Sequence, residues 1–258
     1  GKQAMFETLK VSAEDRIGTL ILNRPDRLNA LSVQTLDEIA QAARWFDEQS
    51  SVRAVIVSGE GRAFSSGADL DGFPQPGQEG LREAADMGRV MADALEDMRA
   101  VSIARIHGWC VGGGLVIAAA CDLRVAAEDA RFSIPEVDLG IPLAWGGIPR
   151  LVREIGPALT KELVITCRPF GAAEALAAGF LNRVVPAETL EVTALELAQQ
   201  VASKPAIPTF ATKRHTNAVT SQMLGTMRGW SDADSLIAAL IDPECSESRE
   251  AYIKSRLG

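Results

Sequence analysis

The sequence has 258 residues, of which 47% are apolar and 23% are charged, the composition of a folded globular protein rather than a disordered chain. The net charge of −8 and the pI near 5.0 argue against broad electrostatic binding of nucleic acid or of an anionic membrane, because phosphate-rich partners would be repelled. No apolar stretch approaches the roughly 20 residues that span a bilayer. We therefore expect a cytoplasmic protein with no membrane segment, built as one large domain or as one domain with an appendage.

Short apolar, β-branched runs alternate with helical patterns, which predicts an α/β fold with its sites at the carboxyl ends of strands. Residues 59–80 are rich in glycine, proline and small polar residues, and predict a long functional or mobile loop. From about Thr189 onward the pattern is helical, which predicts a docking or oligomerisation region. The predicted strands are Phe6–Val11, Gly18–Leu22, 53–59, 101–106, 121–127 and 130–134, and the predicted helices follow the N-cap Ser32 and cover Leu81–Met98, Thr209–Gln222 and Ser231–Ile241.

The histidines and cysteines do not form a metal-binding pattern. His107 and His215 are far apart in sequence, and the four cysteines have no CxxC spacing. Zinc sites need such ligands in clusters, so we expect no metal and reduced, structural thiols.

The segment CVGGGLVIAAACD, Cys110–Asp122, places three glycines directly before an apolar helical run. The first N–H groups of a helix have no partner within the helix, and the helix dipole favours negative charge there. A second loop of small residues, AFSSGADL at Ala63–Leu70, offers a further backbone amide. Two amides directed at one oxygen form an oxyanion hole. Close packing of the glycines against a neighbouring strand is the alternative explanation.

Four motifs carry a resemblance to a known family: LILNRPDRLNALS, GRAFSSGADL, GWCVGGG with CDLRVA, and FSIPEVDLGIP with GGIPRL. In order and spacing they resemble the signatures of the crotonase superfamily, the enoyl-CoA hydratase/isomerase family. The resemblance covers about Phe6–Val185. It implies a crotonase-like ββα spiral core over residues 1–188 and a helical trimerisation region over residues 189–258. It also implies a homotrimer or a dimer of trimers.

The resemblance further implies an acyl-CoA site. The amides of Ala68 and Gly113 would bind the thioester oxygen, and coenzyme A would be part of the substrate, with no separate cofactor. We expect the acyl pocket to be lined by Val116, Trp109, Leu143 and Trp145. The residues that the resemblance assigns to binding of the substrate and its coenzyme A are Arg24, Arg27, Leu28, Ala30, Ser66, Asp69, Leu70 and Gly112.

Glu136 is the predicted acid/base, because SIPEVDLG places it where the family has a glutamate facing the acyl chain. A carboxylate among apolar neighbours should be desolvated, which raises its pKa into a range useful for proton transfer. The usual hydratases of the family carry a second glutamate where this sequence has Val116. One-base isomerisation of a 3-enoyl-CoA to a 2-enoyl-CoA therefore suits the site better than hydration. Hydration by Glu136 alone and a catalytically silent acyl-CoA-binding protein remain as alternatives.

Overall fold

Two β-sheets form the frame of the protein, whose computed structural model describes residues 1–225 and 231–257. The larger sheet has the order β1-β2-β3-β4-β5-β7-β10, and the smaller sheet has the order β6-β8-β9. β1, β2 and β3 pair antiparallel, whereas the pairs from β3 to β10 in the larger sheet are parallel. The strands are β1 (Lys2–Met5), β2 (Leu9–Glu14), β3 (Ile17–Leu22), β4 (Ala54–Gly59), β5 (Val101–Ile106), β6 (Trp109–Val111), β7 (Leu123–Ala127), β8 (Arg131–Ser133), β9 (Phe170–Gly171) and β10 (Arg183–Val185).

Helices cover both faces of the larger sheet, which confirms the predicted α/β class. None of the helices in the described ranges is long and apolar enough to cross a membrane. The helices are α1 (Val33–Glu48), α2 (Leu81–Asp97), α3 (Gly113–Ala120), α4 (Gly147–Ile155), α5 (Pro157–Thr166), α6 (Ala172–Ala177), α7 (Leu190–Ala202), α8 (Ala206–Met223), α9 (Asp232–Ile241) and α10 (Pro243–Leu257), with short 3-10 turns at Pro25–Arg27, Leu70–Gly72 and Ala187–Thr189.

Strand β4 is buried on both faces, and its alternate residues enter two different cores. Val55 and Val57 pack into the main core, which also contains α1, α2 and α3. Ala54 and Ile56 pack against α7 on the opposite face. Because α7 covers the sheet, the helical region that follows residue 188 contributes directly to the core. The role of residues 189–258 in oligomerisation stays a prediction, and residues 226–230 and 258 of that region lie outside the described residues.

All eight residues of α3 are buried, and its two ends have different surroundings. The carbonyl groups at its C-terminus accept hydrogen bonds from the buried Arg124 guanidinium, at 3.1 Å for Ala118 and 2.8 Å for Cys121. Arg124 also forms an ion pair with Glu154 at 3.2 Å. These contacts satisfy the C-terminal carbonyls that a helix leaves unpaired. The N-terminus of the same helix faces the loops described next.

A short ladder connects the loops beyond the carboxyl ends of β3, β4 and β5. Leu31 forms a parallel bridge with Ala68, and Ser65 forms one with Cys110 of β6. The ladder continues through β8, which pairs with β6. Four separate segments of the chain are thereby held in fixed register beside the N-terminus of α3.

The predicted first strand was wrong in its boundaries. β2 begins at Leu9 rather than Phe6, because the amides of Glu7 and Thr8 donate to the Glu38 carboxylate, at 3.1 and 2.8 Å, and not to a strand. At its other end β2 continues to Glu14, three residues beyond the predicted Val11. Strand β5 and helix α9 match their predictions to within one residue.

Candidate active site

A small cavity lies where the N-terminus of α3 meets the loops that follow β4 and β8. Ala68, Gly113 and Glu136, from three distant parts of the sequence, contribute to its wall. Among the described residues of this otherwise apolar wall, Glu136 is therefore the only one that bears a carboxyl group, and it shares the wall with Ala68 and Gly113. The other residues of the wall are Phe73, Ile141, Pro142, Leu143, Ala144, Trp145 and Leu236.

The amides of Ala68 and Gly113 have no hydrogen-bond acceptor among the described residues. Gly113 begins α3, so its amide is one of the donors that a helix leaves free. Gly67 brings the two segments together with a φ of +92°, and a Cβ on Gly67 would lie 3.6 Å from the nitrogen of Gly113. A side chain there would also strike the Val111 carbonyl at 2.9 Å, which explains why glycine occupies this position.

The carboxyl group of Glu136 is buried in the wall of the cavity. The residue is 8% exposed, and its Oε2 has no hydrogen-bond partner among the described residues. Burial raises the pKa of Glu136 to about 7, against a small opposing effect of a backbone hydrogen bond. The predicted desolvation is thus present, and the group can exist in both protonation states near neutral pH.

The segment assigned to coenzyme A is held by an ion-pair cluster. The Arg24 guanidinium lies 2.9 Å from Asp69 and donates to the Ala30 carbonyl at 2.7 Å. Arg27 is more open, with 48% of its side chain exposed, and it pairs with Asp69 at 3.4 Å and with Asp71. Arg24 therefore fixes the loop, and Arg27 is the better placed of the two for a phosphate.

The remaining residues of that segment lie around the same loops. Leu28 has a φ of +50°, and its carbonyl accepts a hydrogen bond from the amide of Ser66 at 2.8 Å. Ala30 is buried, and Leu70 packs beside the C-terminal helices. Gly112 lies next to Glu136 and not at the Arg27 surface.

Two of the four residues predicted for the acyl pocket lie in the cavity wall, namely Leu143 and Trp145. Trp109 lies outside this wall: its side chain is at the surface, 43% exposed, with the Arg131 guanidinium 5.5 Å from its ring. Val116 is fully buried and is not part of the wall; its side chain and that of Leu143 both lie close to Gly147.

Comparison with known proteins identifies the family. The family model described as enoyl-CoA hydratase/isomerase matches residues 12–256. The chain belongs to the enoyl-CoA hydratase/isomerase family. It is 35% identical over 205 residues to a short-chain-enoyl-CoA hydratase of Clostridium acetobutylicum, covering 79% of this chain and 78% of that protein. It is 34% identical over 200 residues to a crotonyl-CoA hydratase of Syntrophomonas wolfei, covering 77% of each.

A solved structure supports the same assignment for the fold. The crystal structure of an enoyl-CoA hydratase from Mycobacterium avium subsp. paratuberculosis superimposes with a TM-score of 0.87 at 27% identity. The match covers 96% of this chain and 99% of that chain. The crotonase-like fold inferred from the four motifs is therefore confirmed, and the C-terminal helices are part of it.

Sequence reasoning missed two residues that hold the loops of this family member together. Asn29 is buried with a φ of +55°, and its side-chain amide donates to the carbonyls of Glu60 and Ala63, both at 2.9 Å. Ser65 donates to the Asn29 carbonyl at 2.8 Å and accepts from the Gly67 amide at 3.1 Å. The one available signal was an asparagine inside a turn, where it tolerates left-handed backbone.

Proposed function

We propose that this protein acts on fatty enoyl-CoA thioesters, with the amides of Ala68 and Gly113 as the oxyanion hole and Glu136 as the single acid/base. One observation carries the proposal: a buried glutamate with an unpartnered carboxyl oxygen lines the same cavity as two residues whose backbone amides are free among the described residues. A protein that only binds acyl-CoA would gain nothing from the desolvation cost of that carboxyl.

The chemistry follows from the charge that develops on the substrate. Ionised Glu136 removes a proton from C2 of a 3-enoyl-CoA, and the electron pair moves onto the thioester oxygen. The two amides stabilise this dienolate, each contributing on the order of 3 kcal/mol in comparable sites. Protonated Glu136 then returns the proton to C4, and the double bond moves to C2–C3. The products are a 2-enoyl-CoA and the original carboxylate.

The side chain of Val116 favours isomerisation over hydration. A valine cannot hold or deprotonate water, and Val116 is fully buried. The shuttle above needs only one carboxyl group. Hydration by Glu136 alone is the second candidate, because the relatives from Clostridium acetobutylicum and Syntrophomonas wolfei are called hydratases.

A panel of short 2-enoyl-CoA and 3-enoyl-CoA thioesters tests the proposal. We expect the protein to convert a 3-enoyl-CoA to its 2-enoyl isomer faster than it hydrates the 2-enoyl compound. Glu136→Gln should abolish turnover while a saturated acyl-CoA still binds, as measured by calorimetry. Wild-type protein that binds acyl-CoA but turns over no thioester would instead support the binding protein. Faster hydration than isomerisation would support the hydratase.

The predicted homotrimer or dimer of trimers belongs to the same proposal. Helix α8 has 18 residues, and of these only Lys213 is buried in the single chain. A long helix with so little buried surface is suited to contact with another subunit. Sedimentation equilibrium of the full chain distinguishes a monomer from the proposed assemblies.

A further inference from the structure

The indole of Trp145 fills a slot between two helices, and a glycine forms each side of that slot. A Cβ on Gly88 of α2 would lie 2.0 Å from Cγ of the indole. A Cβ on Gly113 of α3 would lie 2.0 Å from Cζ3, at the other end of the ring system. Both glycines therefore contact the indole through a bare Cα, which no other residue type would allow.

Gly88 has no other evident reason to be glycine. It lies inside a 17-residue helix with ordinary backbone, where alanine would favour the helix more. The atoms nearest to a Cβ at that position all belong to Trp145. Glycine therefore lowers the helix propensity of α2 at the position that accommodates the indole.

The backbone of Trp145 is held in an uncommon conformation. Its φ is +61°, in the left-handed region that bulky residues rarely adopt. The next residue fixes this turn from both sides: the Gly146 amide donates to Asp232 at 2.9 Å, and its carbonyl accepts from Arg150 at 3.3 Å. Arg150 is buried and pairs with Asp93 of α2 at 2.9 Å. The segment that carries the indole is therefore tied to the helix that carries Gly88.

We infer that Trp145 determines acyl length, by closing the cavity so that the site prefers short enoyl groups. The inference rests on the proposed function. A thioester carbonyl at the Gly113 amide places its acyl chain beside the indole, since the six-membered ring lies against the Cα of Gly113. Carbons near the thioester reach Glu136, whereas a longer chain meets the ring. Leu143 and Leu236 close the neighbouring wall.

A series of enoyl-CoA thioesters with four, six, eight and ten carbons tests this inference in wild type and in Trp145→Ala. We expect the variant to raise the kcat/KM ratio of the eight-carbon to the four-carbon substrate about 10-fold or more, in line with the discrimination that apolar pockets achieve per methylene. Trp45→Ala is the matched control, because Trp45 lies on α1 beside Phe46 and is not in the cavity wall. A ratio unchanged in a folded Trp145→Ala protein would overturn the inference.

The variant Gly88→Ala tests the contact between Gly88 and the indole independently. Its methyl group collides with the indole in wild type, so we expect an altered chain-length ratio. In the double variant with Trp145→Ala the collision is absent, and the effect of Gly88→Ala should disappear. An equal effect of Gly88→Ala in both backgrounds would contradict the contact. If Trp145→Ala does not fold, Trp145→Phe should shift the ratio in the same direction, and an unshifted ratio there would overturn the inference.

A binding measurement separates this inference from the proposed function. Calorimetry with saturated four-carbon and eight-carbon acyl-CoA needs no turnover. If wild type turns over no enoyl-CoA, the proposed function fails, and the binding ratio still reports on Trp145. Tighter relative binding of the eight-carbon compound to Trp145→Ala supports the inference, and an unchanged binding ratio rejects it.

Discussion

The Glu136 carboxylate lies directly against the backbone of Gly112, so that a Cβ on Gly112 would fall 2.2 Å from Oε1. Gly112 also has a φ of +52°, a value that favours glycine. The first glycine of the triplet therefore makes room for the carboxyl group, and the second supplies the amide proposed for the thioester oxygen.

Gly112→Ala should both destabilise the protein and impair catalysis. We expect a loss of about 1–3 kcal/mol in the free energy of unfolding, from backbone strain and overpacking. Displacement of Glu136 should lower kcat as well. Urea unfolding and turnover of a 3-enoyl-CoA measure the two effects. Gly171→Ala is the control, since nothing lies within 4 Å of a Cβ there. Equal behaviour of the two variants would argue against the contact.

The pH profile of kcat/KM should have an acid limb whose midpoint lies near neutral pH. Burial raises the pKa of Glu136 to about 7, and only the ionised form can accept the C2 proton. We therefore expect kcat/KM to rise with pH and to level off above pH 7. The pH dependence of kcat/KM for a 3-enoyl-CoA measures this directly. A limb near the ordinary pKa of a glutamate, about 4.3, would mean that another group limits the rate.

The raised pKa of Glu136 should also make the stability of the protein depend on pH. Between its ordinary range and about pH 7, folded protein binds more protons at Glu136 than unfolded protein does, so stability falls as pH rises. The penalty is absent at low pH and complete above pH 7, where it amounts to about 3 kcal/mol. Glu136→Gln removes it. In urea unfolding, the free energy of unfolding of Glu136→Gln should increase relative to that of wild type between pH 4.5 and pH 8. A constant difference between the two proteins would contradict the raised pKa.

Arg24 and Arg27 should respond differently to substitution. Arg27→Met should weaken binding of acyl-CoA, and the loss should shrink as salt is added, because the side chain is open to solvent. Arg24→Met should instead lower the free energy of unfolding, since it leaves the buried Asp69 with a weaker partner. Calorimetric titration at two salt concentrations and urea unfolding distinguish the two. An Arg24 variant that loses only affinity would support the coenzyme A-binding role that the resemblance assigns to it.

Sequence patterns predicted those parts of the site that depend on residues adjacent in the chain. The glycine triplet predicted a helix N-terminus directly after it, and α3 begins within the triplet, at Gly113. Apolar neighbours predicted the burial of Glu136. The helical stripe after Thr189 predicted α7, whose Leu190, Leu197 and Ala198 face the sheet.

Contacts between distant segments could not be predicted in this way. Nothing near Glu7 indicates that Glu38, on another element, would take its amide and delay the first long strand. Periodicity could not place Trp109 on the outer surface of β6, since short strands do not reveal which face is buried. The slot for Trp145 depends on Gly88, which lies 57 positions away in sequence.

The short ladder through Leu31, Ala68, Ser65 and Cys110 also determines where the chain can change in length. Inserting one residue between Ser65 and Ala68 would shift the register of the ladder by one position. The Ala68 amide would then point to the opposite side, away from the cavity. Around Gly77 the chain is open, with nothing within 4 Å of a Cβ. A peptide tag or a fluorescent label placed there would lie a few residues from the candidate active-site cavity without disturbing the register of the ladder beside it.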